Sequence, residues 1–286
     1  MKGFINLGNT CYLNAGLQMI IQNKDFCNLI LQNSKYSEIL KKIELFILNY
    51  YNSSNENSIS PQIIKEIVES KQELFAGYSQ QDSTEFIIYF LNIIDDEFLK
   101  INNILQNKNK LSTNLIYGIE LNIRIKCKLL SCLTIYNSKE FNIFLFLNIN
   151  NDDKTLDDLY LNFKSCDKLE DDNKFYCEKC KDKRIASKRS SIEKFSNHLI
   201  IWIKWFNVNG NSISKNCQLI DFPLLWKNKI LKGFIIHYGN INGGHYIYIG
   251  NVNNNWYLFD DSNISLMNNE QLKKLLPNAY VLYYCN

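Results

Sequence analysis

Residues 243–260 read Gly-Gly-His-Tyr-Ile-Tyr-Ile-Gly-Asn-Val-Asn-Asn-Asn-Trp-Tyr-Leu-Phe-Asp. The side chains alternate at period two on both sides of the polar residues 251–254, which is the pattern of a β-hairpin with a four-residue turn. A turn at that position sets His245 opposite Asp260, with side-chain origins about 5 Å apart. The hairpin is therefore predicted to hold an imidazole against a carboxylate at the end of an apolar face, partly shielded from water.

An imidazole held by a carboxylate is the base and orienting group of nucleophilic catalysis. The alternative is an ordinary surface His–Asp pair. Gly243 and Gly244 favour the catalytic interpretation, because two glycines leave room for another backbone to pass close to the histidine. The chain has three histidines, and we expect the other two, His198 and His237, to be structural.

Cys11 is the candidate nucleophile among nine cysteines. Thr10 is predicted to cap a helix that begins at Cys11 and carries an apolar stripe of Leu13, Leu17, Ile20 and Ile21. Backbone N–H groups and the helix dipole at such a position lower the pKa of a thiol. Asn6, five residues upstream, is a possible oxyanion donor. The alternative is that Cys11 is a small buried apolar residue.

The rest of the chain reads as helices followed by sheet, an α+β arrangement. Further helices are predicted over 36–51, 62–70 and 81–105. Strands are predicted over 119–125, 141–149, 198–206, 233–237 and 279–284. The acid-rich residues 152–172 and base-rich residues 174–194 are predicted to form solvated surface.

Composition excludes several classes of protein. The 286 residues carry a net charge of +3, too mild to indicate nucleic acid binding. The longest apolar run, residues 199–203, is far below the roughly 20 residues that span a bilayer, which argues against a membrane protein. The odd number of irregularly spaced cysteines and an N-terminus without a signal-peptide stretch argue against a disulfide framework. We expect an intracellular protein, cytoplasmic or nuclear.

Five segments resemble the ubiquitin-specific protease family of cysteine deubiquitinases, in the family's order and over essentially the whole chain. Asn6 to Asn14 with Leu17-Gln18 resembles its cysteine box, and Gln80 to Phe86 its Gln-Gln-Asp box. Tyr176-Cys177-Glu178-Lys179-Cys180 resembles its second zinc knuckle. Residues 244–261 resemble its histidine box, and residues 279–284 its closing strand.

This resemblance implies a papain-like cysteine protease built as a right hand in one catalytic domain, residues 1–286. The helical thumb would span 1–113, the β fingers 114–195 and the β palm 196–286. Carried over by position, Cys11 is the nucleophile, His245 the base and acid, Asp260 the orienting group and Asn6 the oxyanion-stabilising residue. The reaction would be hydrolysis after the C-terminal glycine of ubiquitin through a thioester.

The resemblance also implies which residues bind substrate. Gln81 belongs to the Gln-Gln-Asp box, Asp82 and Glu85 would meet the arginines of the ubiquitin tail, and Gly243 and Gly244 would border the channel for its glycines. Ubiquitin and ubiquitinated proteins are the expected partners of a monomer. Two alternatives stay open: a protease for a ubiquitin-like modifier, and a catalytically idle ubiquitin-binding module.

No cofactor is expected for catalysis, but a structural zinc ion is a candidate. Cys177-x-x-Cys180 has good ligand spacing, whereas the first pair, Cys127 and Cys132, is separated by four residues in place of the usual two. Four thiolates could brace the fingers; the alternative is a site that has lost its metal. Trp205 stands where the family usually has arginine, which is expected to alter a local salt bridge.

Overall fold

A computed structural model of the chain describes residues 1–52, 56–106, 110–150, 152–209, 212–216, 218–240 and 243–286. The helices of this part are α1 Cys11–Ile21, α2 Lys24–Asn33, α3 Glu38–Tyr51, α4 Gln62–Lys71, α5 Ser83–Leu105, α6 Asn114–Tyr117, α7 Leu156–Phe163 and α8 Asn269–Leu275. Each of them is too short or too polar to cross a bilayer.

The strands run in two groups along the chain. The first nine are β1 Gly3–Phe4, β2 Ser58–Ile59, β3 Ile119–Cys127, β4 Ile135–Asn142, β5 Phe144–Asn148, β6 Cys166–Leu169, β7 Phe175–Cys177, β8 Asp182–Arg184 and β9 Ala186–Lys194. The others are β10 His198–Lys204, β11 Phe206–Asn209, β12 Ser212–Lys215, β13 Leu225–Trp226, β14 Lys229–Asn240, β15 Gly243–Val252, β16 Asn255–Asp260, β17 Asn263–Leu266 and β18 Ala279–Cys285.

Helix α1 lies at the centre of the molecule. All eleven of its residues are buried, because it packs against α5 on one side and β15 on the other. A helix buried all round must satisfy its polar side chains internally. Gln18 does so by donating to the carbonyl of Lys2 at 2.8 Å and accepting from the Tyr50 hydroxyl at 3.0 Å. The nucleophile candidate is thus carried by the most enclosed helix of the fold.

The predicted helices over 36–51, 62–70 and 81–105 correspond to α3, α4 and α5. Helix α2 was not predicted from the pattern. Its cap is Asn23, whose Oδ1 accepts from the N–H groups of Asp25 and Phe26 at 2.9 and 3.2 Å. In a chain this rich in asparagine, a single asparagine is a weak cap signal, which explains the omission.

An eight-stranded sheet forms the palm side, in the order β17-β16-β15-β14-β18-β10-β5 with β13 paired to β14. It places the histidine strand β15 beside the long strand β14. Trp205, directly after β10, is buried and donates from Nε1 to the carbonyl of Ala279 at 2.9 Å. The indole therefore ties β10 to the closing strand where an arginine was expected from the resemblance.

A separate four-stranded sheet, β4-β3-β9-β6, and the short hairpin β7-β8 project as the fingers. The predicted strand over 141–149 is wrong as a single element. The chain bends at Ile143, so β4 stays in the fingers whereas β5 joins the palm sheet parallel to β10. The fingers range 114–195 therefore contains one palm strand, and the three subregion boundaries stay predictions.

The acid-rich residues 152–172 are not only surface. Thr155 and Asp158 form a capping box that starts α7. This helix buries Leu156, Leu159 and Tyr160 and packs on β5. Two of the acids, Asp157 and Asp158, are first-turn residues of this helix, where the helix dipole stabilises their charge.

Candidate active site

The loop before Cys11 is shaped by Asn6. Its Oδ1 accepts from the N–H groups of Gly8 and Thr10 at 3.0 and 3.2 Å, and from the Thr10 hydroxyl at 3.3 Å. Thr10 stands at the N-cap position as predicted, but its side chain makes no cap hydrogen bond to α1. Its Oγ1 accepts instead from the N–H of Leu7 at 2.8 Å. The loop thus delivers Cys11 as the first residue of the helix.

The Cys11 thiol is buried, with 4% of its surface exposed. Burial raises its pKa, and the charge of Asp261 adds to that effect, while backbone N–H groups of Tyr246, Tyr12 and Cys11 itself lower it. The expectation of a lowered pKa is therefore wrong for this arrangement, because desolvation outweighs the helix N-terminus. The raised pKa favours the protonated thiol at rest, and among the described residues there is no hydrogen bond between Cys11 and the His245 ring.

His245 and Asp260 are brought together as predicted. Nε2 of His245 lies 2.6 Å from Oδ1 of Asp260. A carboxylate only accepts hydrogen bonds, so Nε2 carries the proton and Nδ1 is left as the basic nitrogen. Both side chains are about two-fifths exposed (41% and 45%), so the pair is less shielded from water than expected.

The predicted register of the hairpin is wrong by two residues. Ile249 pairs with Leu258 and Val252 with Asn255, which leaves a two-residue turn of Asn253 and Asn254. Both turn residues have positive φ, 52° and 64°, as a type I′ turn requires and asparagine tolerates.

A second carboxylate, Asp261, completes the site and was missed by the sequence reasoning. Its Oδ2 accepts from Nδ2 of Asn6 at 2.8 Å, and its Oδ1 accepts from Nδ2 of Asn14 at 2.7 Å. Polar atoms of His245, Asp260 and Asp261 lie within 4.8 Å of one another. Asn6, the predicted oxyanion donor, is therefore held by a carboxylate beside the His–Asp pair. The doubled aspartate at 260–261 was the available signal.

The Gln-Gln-Asp box lies at the start of α5, across the cleft from β15. Gln80 Oε1 accepts from the N–H of Gly244 at 2.7 Å, and Gln81 Nε2 donates to the carbonyl of Leu74 at 2.7 Å. Asp82 caps α5, and Glu85 is exposed in the first turn. Partial desolvation at the edge of the cleft, followed by the charge of Asp82, raises the pKa of Glu85. The roles of Gln81, Asp82 and Glu85 in binding substrate stay predictions.

A cavity of about 240 Å³ opens beside Cys11. Its lining includes Gln81, Asp82, Gly243, Gly244, Tyr246 and Tyr280. The two glycines are needed by the protein itself: a Cβ at Gly244 would collide with the Tyr238 carbonyl and the His237 ring, and one at Gly243 with Oε1 of Gln80. The backbone that passes close to these glycines in the described structure thus belongs to β14. A channel for substrate glycines stays a prediction.

The two other histidines make internal contacts. His198 Nδ1 lies 2.7 Å from the Tyr283 hydroxyl and its Nε2 lies 2.8 Å from Oδ2 of Asp25. The His237 ring stacks on Tyr246, with ring centroids 4.4 Å apart and planes inclined by 21°. Both arrangements support the structural interpretation of these residues.

Cys127, Cys132, Cys177 and Cys180 come together at the tip of the fingers, with all four sulfurs within 4.8 Å of one another. The Cys132 and Cys177 sulfurs are 3.7 Å apart. Four sulfurs at about 2.3 Å from one tetrahedral ion would be about 3.8 Å apart. The longer first knuckle closes through a turn in which the N–H of Cys132 donates to the Leu129 carbonyl at 2.9 Å. The four thiols therefore fit a tetrahedral metal site.

The thiols of the cluster also polarise one another. The Tyr136 hydroxyl, 3.3 Å from the Cys177 sulfur, lowers the pKa of that thiol to about 6 together with Cys180 and Cys132, whereas the pKa of the Cys180 thiol is raised, first of all by Cys132. A thiol that ionises readily suits a metal ligand, since the thiolate is the form that binds.

Comparison with known proteins gives consistent matches. The family model of the ubiquitin carboxyl-terminal hydrolases matches residues 2–284. "Probable ubiquitin carboxyl-terminal hydrolase 16" of Schizosaccharomyces pombe is 26% identical over 310 residues, which cover 99% of this chain and 66% of that protein. "Ubiquitin carboxyl-terminal hydrolase 2" of Bos taurus is 25% identical over 338 residues, which cover 99% of this chain and 55% of that protein. The chain spans 39% to 66% of the curated relatives it matches.

Solved structures show the same fold. The SAGA Ubp8/Sgf11/Sus1/Sgf73 DUB module bound to ubiquitin aldehyde is similar to this chain with a TM-score of 0.78 and 25% identity, covering all of this chain and 69% of that one. The same module bound to monoubiquitin gives a TM-score of 0.77 at 25% identity, with the same coverage. The predicted α+β, papain-like fold class is thereby confirmed. The motifs, the fold and the match over 2–284 agree, and the chain belongs to the ubiquitin carboxyl-terminal hydrolase family.

Proposed function

We propose that this chain is a thiol-dependent deubiquitinase that hydrolyses the peptide or isopeptide bond after the C-terminal glycine of ubiquitin. The observation that carries the proposal is the His245–Asp260 hydrogen bond of 2.6 Å. His245 lies on β15, and this strand packs against α1, the helix that begins at Cys11. That arrangement is a base with its orienting group on the strand next to the nucleophile's helix, and the activity of the family to which the chain belongs indicates the substrate.

The first step is attack of the Cys11 sulfur on the carbonyl carbon of the terminal glycine. Because burial keeps the resting thiol protonated, its proton passes to Nδ1 of His245 as the bond forms. Asp260 stabilises the resulting imidazolium through Nε2–H. Asn6 Nδ2 and backbone N–H groups at the start of α1 stabilise the oxyanion, with Asp261 fixing the direction of the Asn6 amide.

The second half of the reaction returns the enzyme to its starting state. The imidazolium of His245 gives its proton to the leaving lysine nitrogen, the C–N bond breaks, and a thioester joins Cys11 to ubiquitin. His245 then takes a proton from water as the water oxygen attacks the thioester carbonyl. The C–S bond breaks, the thiolate is reprotonated, and ubiquitin leaves with a free carboxylate.

Two alternatives lead to different experimental results. A protease for a ubiquitin-like modifier would turn over that modifier faster than ubiquitin. An idle binding module would bind ubiquitin without forming a covalent adduct, although the complete set of Cys11, His245, Asp260 and Asn6 favours an enzyme.

The test is reaction with ubiquitin that carries a C-terminal electrophile, followed by turnover of ubiquitin and modifier reporters. Wild type is expected to gain the mass of one ubiquitin on the Cys11 peptide, and Cys11→Ala is expected to gain none. Tight binding without an adduct would support the idle module. Faster turnover of another modifier reporter would support the second alternative.

A structural zinc ion at Cys127, Cys132, Cys177 and Cys180 is part of this proposal. Bound there, it would supply a cross-link between the two knuckles. It takes no part in the chemistry at Cys11. Metal analysis of the purified chain is expected to give one zinc ion per molecule, and a chain that folds and acts without metal would remove this part of the proposal.

A further inference from the structure

The carboxylate of Asp82 joins the helical half of the molecule to the sheet half. Its Oδ1 accepts from the N–H groups of Thr84 and Glu85 at 2.7 and 3.1 Å, which caps α5. Its Oδ2 accepts from the hydroxyls of Tyr246 on β15 and Tyr280 on β18 at 2.8 and 2.6 Å. A carboxylate has about four acceptor positions, and these donors fill them.

Glu85 differs from Asp82 although it lies only one helical turn further on. Among the described residues, none donates a hydrogen bond to the Glu85 side chain, and the residue is exposed. An arginine of a bound substrate tail could pair with Glu85 without breaking a hydrogen bond inside the protein. To pair with Asp82, the arginine would have to displace a tyrosine hydroxyl or one of the N–H groups that Asp82 caps.

A second hydrogen bond between the two halves lies close to those of Asp82. Oε1 of Gln80 accepts from the N–H of Gly244 at 2.7 Å. Gly244 and Tyr246 are the residues directly before and after His245. The segment 80–82 therefore holds both sequence neighbours of the catalytic histidine.

Tyr246 connects this contact to Cys11. Its hydroxyl stays a donor to Asp82, because burial and the Asp82 charge raise its pKa. Its ring stacks on His237 at 4.4 Å, and its backbone N–H favours the thiolate of Cys11. A shift of Tyr246 would therefore change the surroundings of the nucleophile and of His245 together.

We propose that Gln80 and Asp82 are positioning residues that clamp the neighbours of His245 and so hold the imidazole in register with Cys11. In this assignment the Asp82 carboxylate is occupied by internal hydrogen bonds, and Glu85 is the acid that pairs with an arginine of the ubiquitin tail. The kinetic part of the inference rests on the proposed function; the clamp itself does not.

The substrate-free test is alkylation of Cys11 by iodoacetamide, followed on the Cys11 peptide by mass spectrometry between pH 7 and 10. Tyr246→Phe and Asp82→Asn are expected to slow alkylation at pH 8 about threefold or more, because a displaced Tyr246 N–H stabilises the thiolate less. Tyr284→Phe is the matched control: it removes a buried hydroxyl from β18 that donates to the Pro223 carbonyl at 2.7 Å. Its alkylation is expected to match wild type.

The kinetic test uses ubiquitin reporters with and without the tail arginines. Asp82→Asn is expected to lower kcat about tenfold with KM changed less than threefold, and by the same factor on both reporters. Tyr246→Phe combined with Asp82→Asn is expected to lose no more than Asp82→Asn alone, since the Tyr246–Asp82 hydrogen bond is one of the contacts that Asp82→Asn already weakens.

Opposite results would overturn the clamp. If the Asp82→Asn defect lies in KM and disappears on the arginine-free reporter, Asp82 binds arginine and does not position His245. Alkylation at the wild-type rate in both Tyr246→Phe and Asp82→Asn would also refute it. If wild type turns over no ubiquitin reporter, the proposed function fails while the alkylation series still decides on the clamp.

Discussion

Nε2 of His245 lies 2.6 Å from Oδ1 of Asp260 although the two residues are not opposite each other in the ladder. Extended by one residue, the observed register would set Asp260 opposite Ile247, so His245 reaches it diagonally. A two-residue shift keeps every side chain on its own face, whereas a one-residue shift would reverse the faces. The alternation of the hairpin therefore predicts the pair even though the predicted turn is two residues too long.

Replacing Asp260 tests the orienting role. Asp260→Asn keeps the shape but presents an amide to Nε2, which favours the wrong tautomer and leaves the imidazolium without a counter-charge. We expect kcat on a ubiquitin reporter to fall roughly tenfold to a thousandfold with ubiquitin binding nearly unchanged. Binding weakened by a comparable factor would assign Asp260 to substrate recognition.

Asp261 is expected to act through Asn6. Asp261→Asn can accept from only one of the two amides that now donate to the carboxylate, those of Asn6 and Asn14. Both Asn6→Ala and Asp261→Asn should lower kcat about tenfold or more. The double variant should be no slower than Asn6→Ala alone. Multiplied defects in the double variant would show that the two residues act independently.

The raised pKa of Cys11 has a direct consequence for pH dependence. Burial moves it above the ordinary value of 9.0, so fewer than about one thiol in a hundred is ionised at pH 7. Iodoacetamide alkylation of the free enzyme should rise about tenfold per pH unit from pH 7 to 9. A plateau already reached at pH 7 would show instead that Cys11 and His245 form an ion pair before substrate binds.

How well the sequence predicts a part of this site depends on how far apart along the chain the interacting residues lie. The hairpin and the head of α1 are local patterns, and both were predicted. The tyrosines that bind Asp82 lie 164 and 198 residues away. No sequence periodicity links the cap residue of α5 to hydroxyl groups on β15 and β18. Only the folded chain therefore shows that donors within the protein occupy the acceptor positions of the Asp82 carboxylate.

The same reasoning applies to Cys11 and Ile143. A helix N-terminus predicts a lowered thiol pKa, but the burial that raises it comes from the packing of α1 on β15. A short β-rich run predicts one strand over 141–149, whereas the chain bends at Ile143 and its two halves, β4 and β5, pair in different sheets.

Loss of metal should affect the fingers before the active site. Cys177→Ser removes one of the four clustered thiols, and we expect the bound zinc to be lost and the thermal midpoint to fall. For a domain of about this size, each kcal/mol lowers the midpoint by about 2–4 °C. Cys166→Ser is the matched control, because Cys166 is an exposed thiol on β6 outside the cluster. Equal zinc content in both variants would show that the cluster is not the metal site.

Gly244→Ala should damage the reaction more than the fold. The added Cβ would meet the Tyr238 carbonyl and the His237 ring, so β14 and β15 must separate next to His245, at a cost of about 1–3 kcal/mol. Gly250→Ala on the same strand crowds Oε1 of Gln22 and the ring of Tyr248, each at 2.7 Å, and controls for lost stability. We expect both variants to melt earlier in a thermal scan, but only Gly244→Ala to lower kcat about tenfold or more. Equal kcat in the two variants would mean that the approach of β14 to Gly244 does not position the histidine.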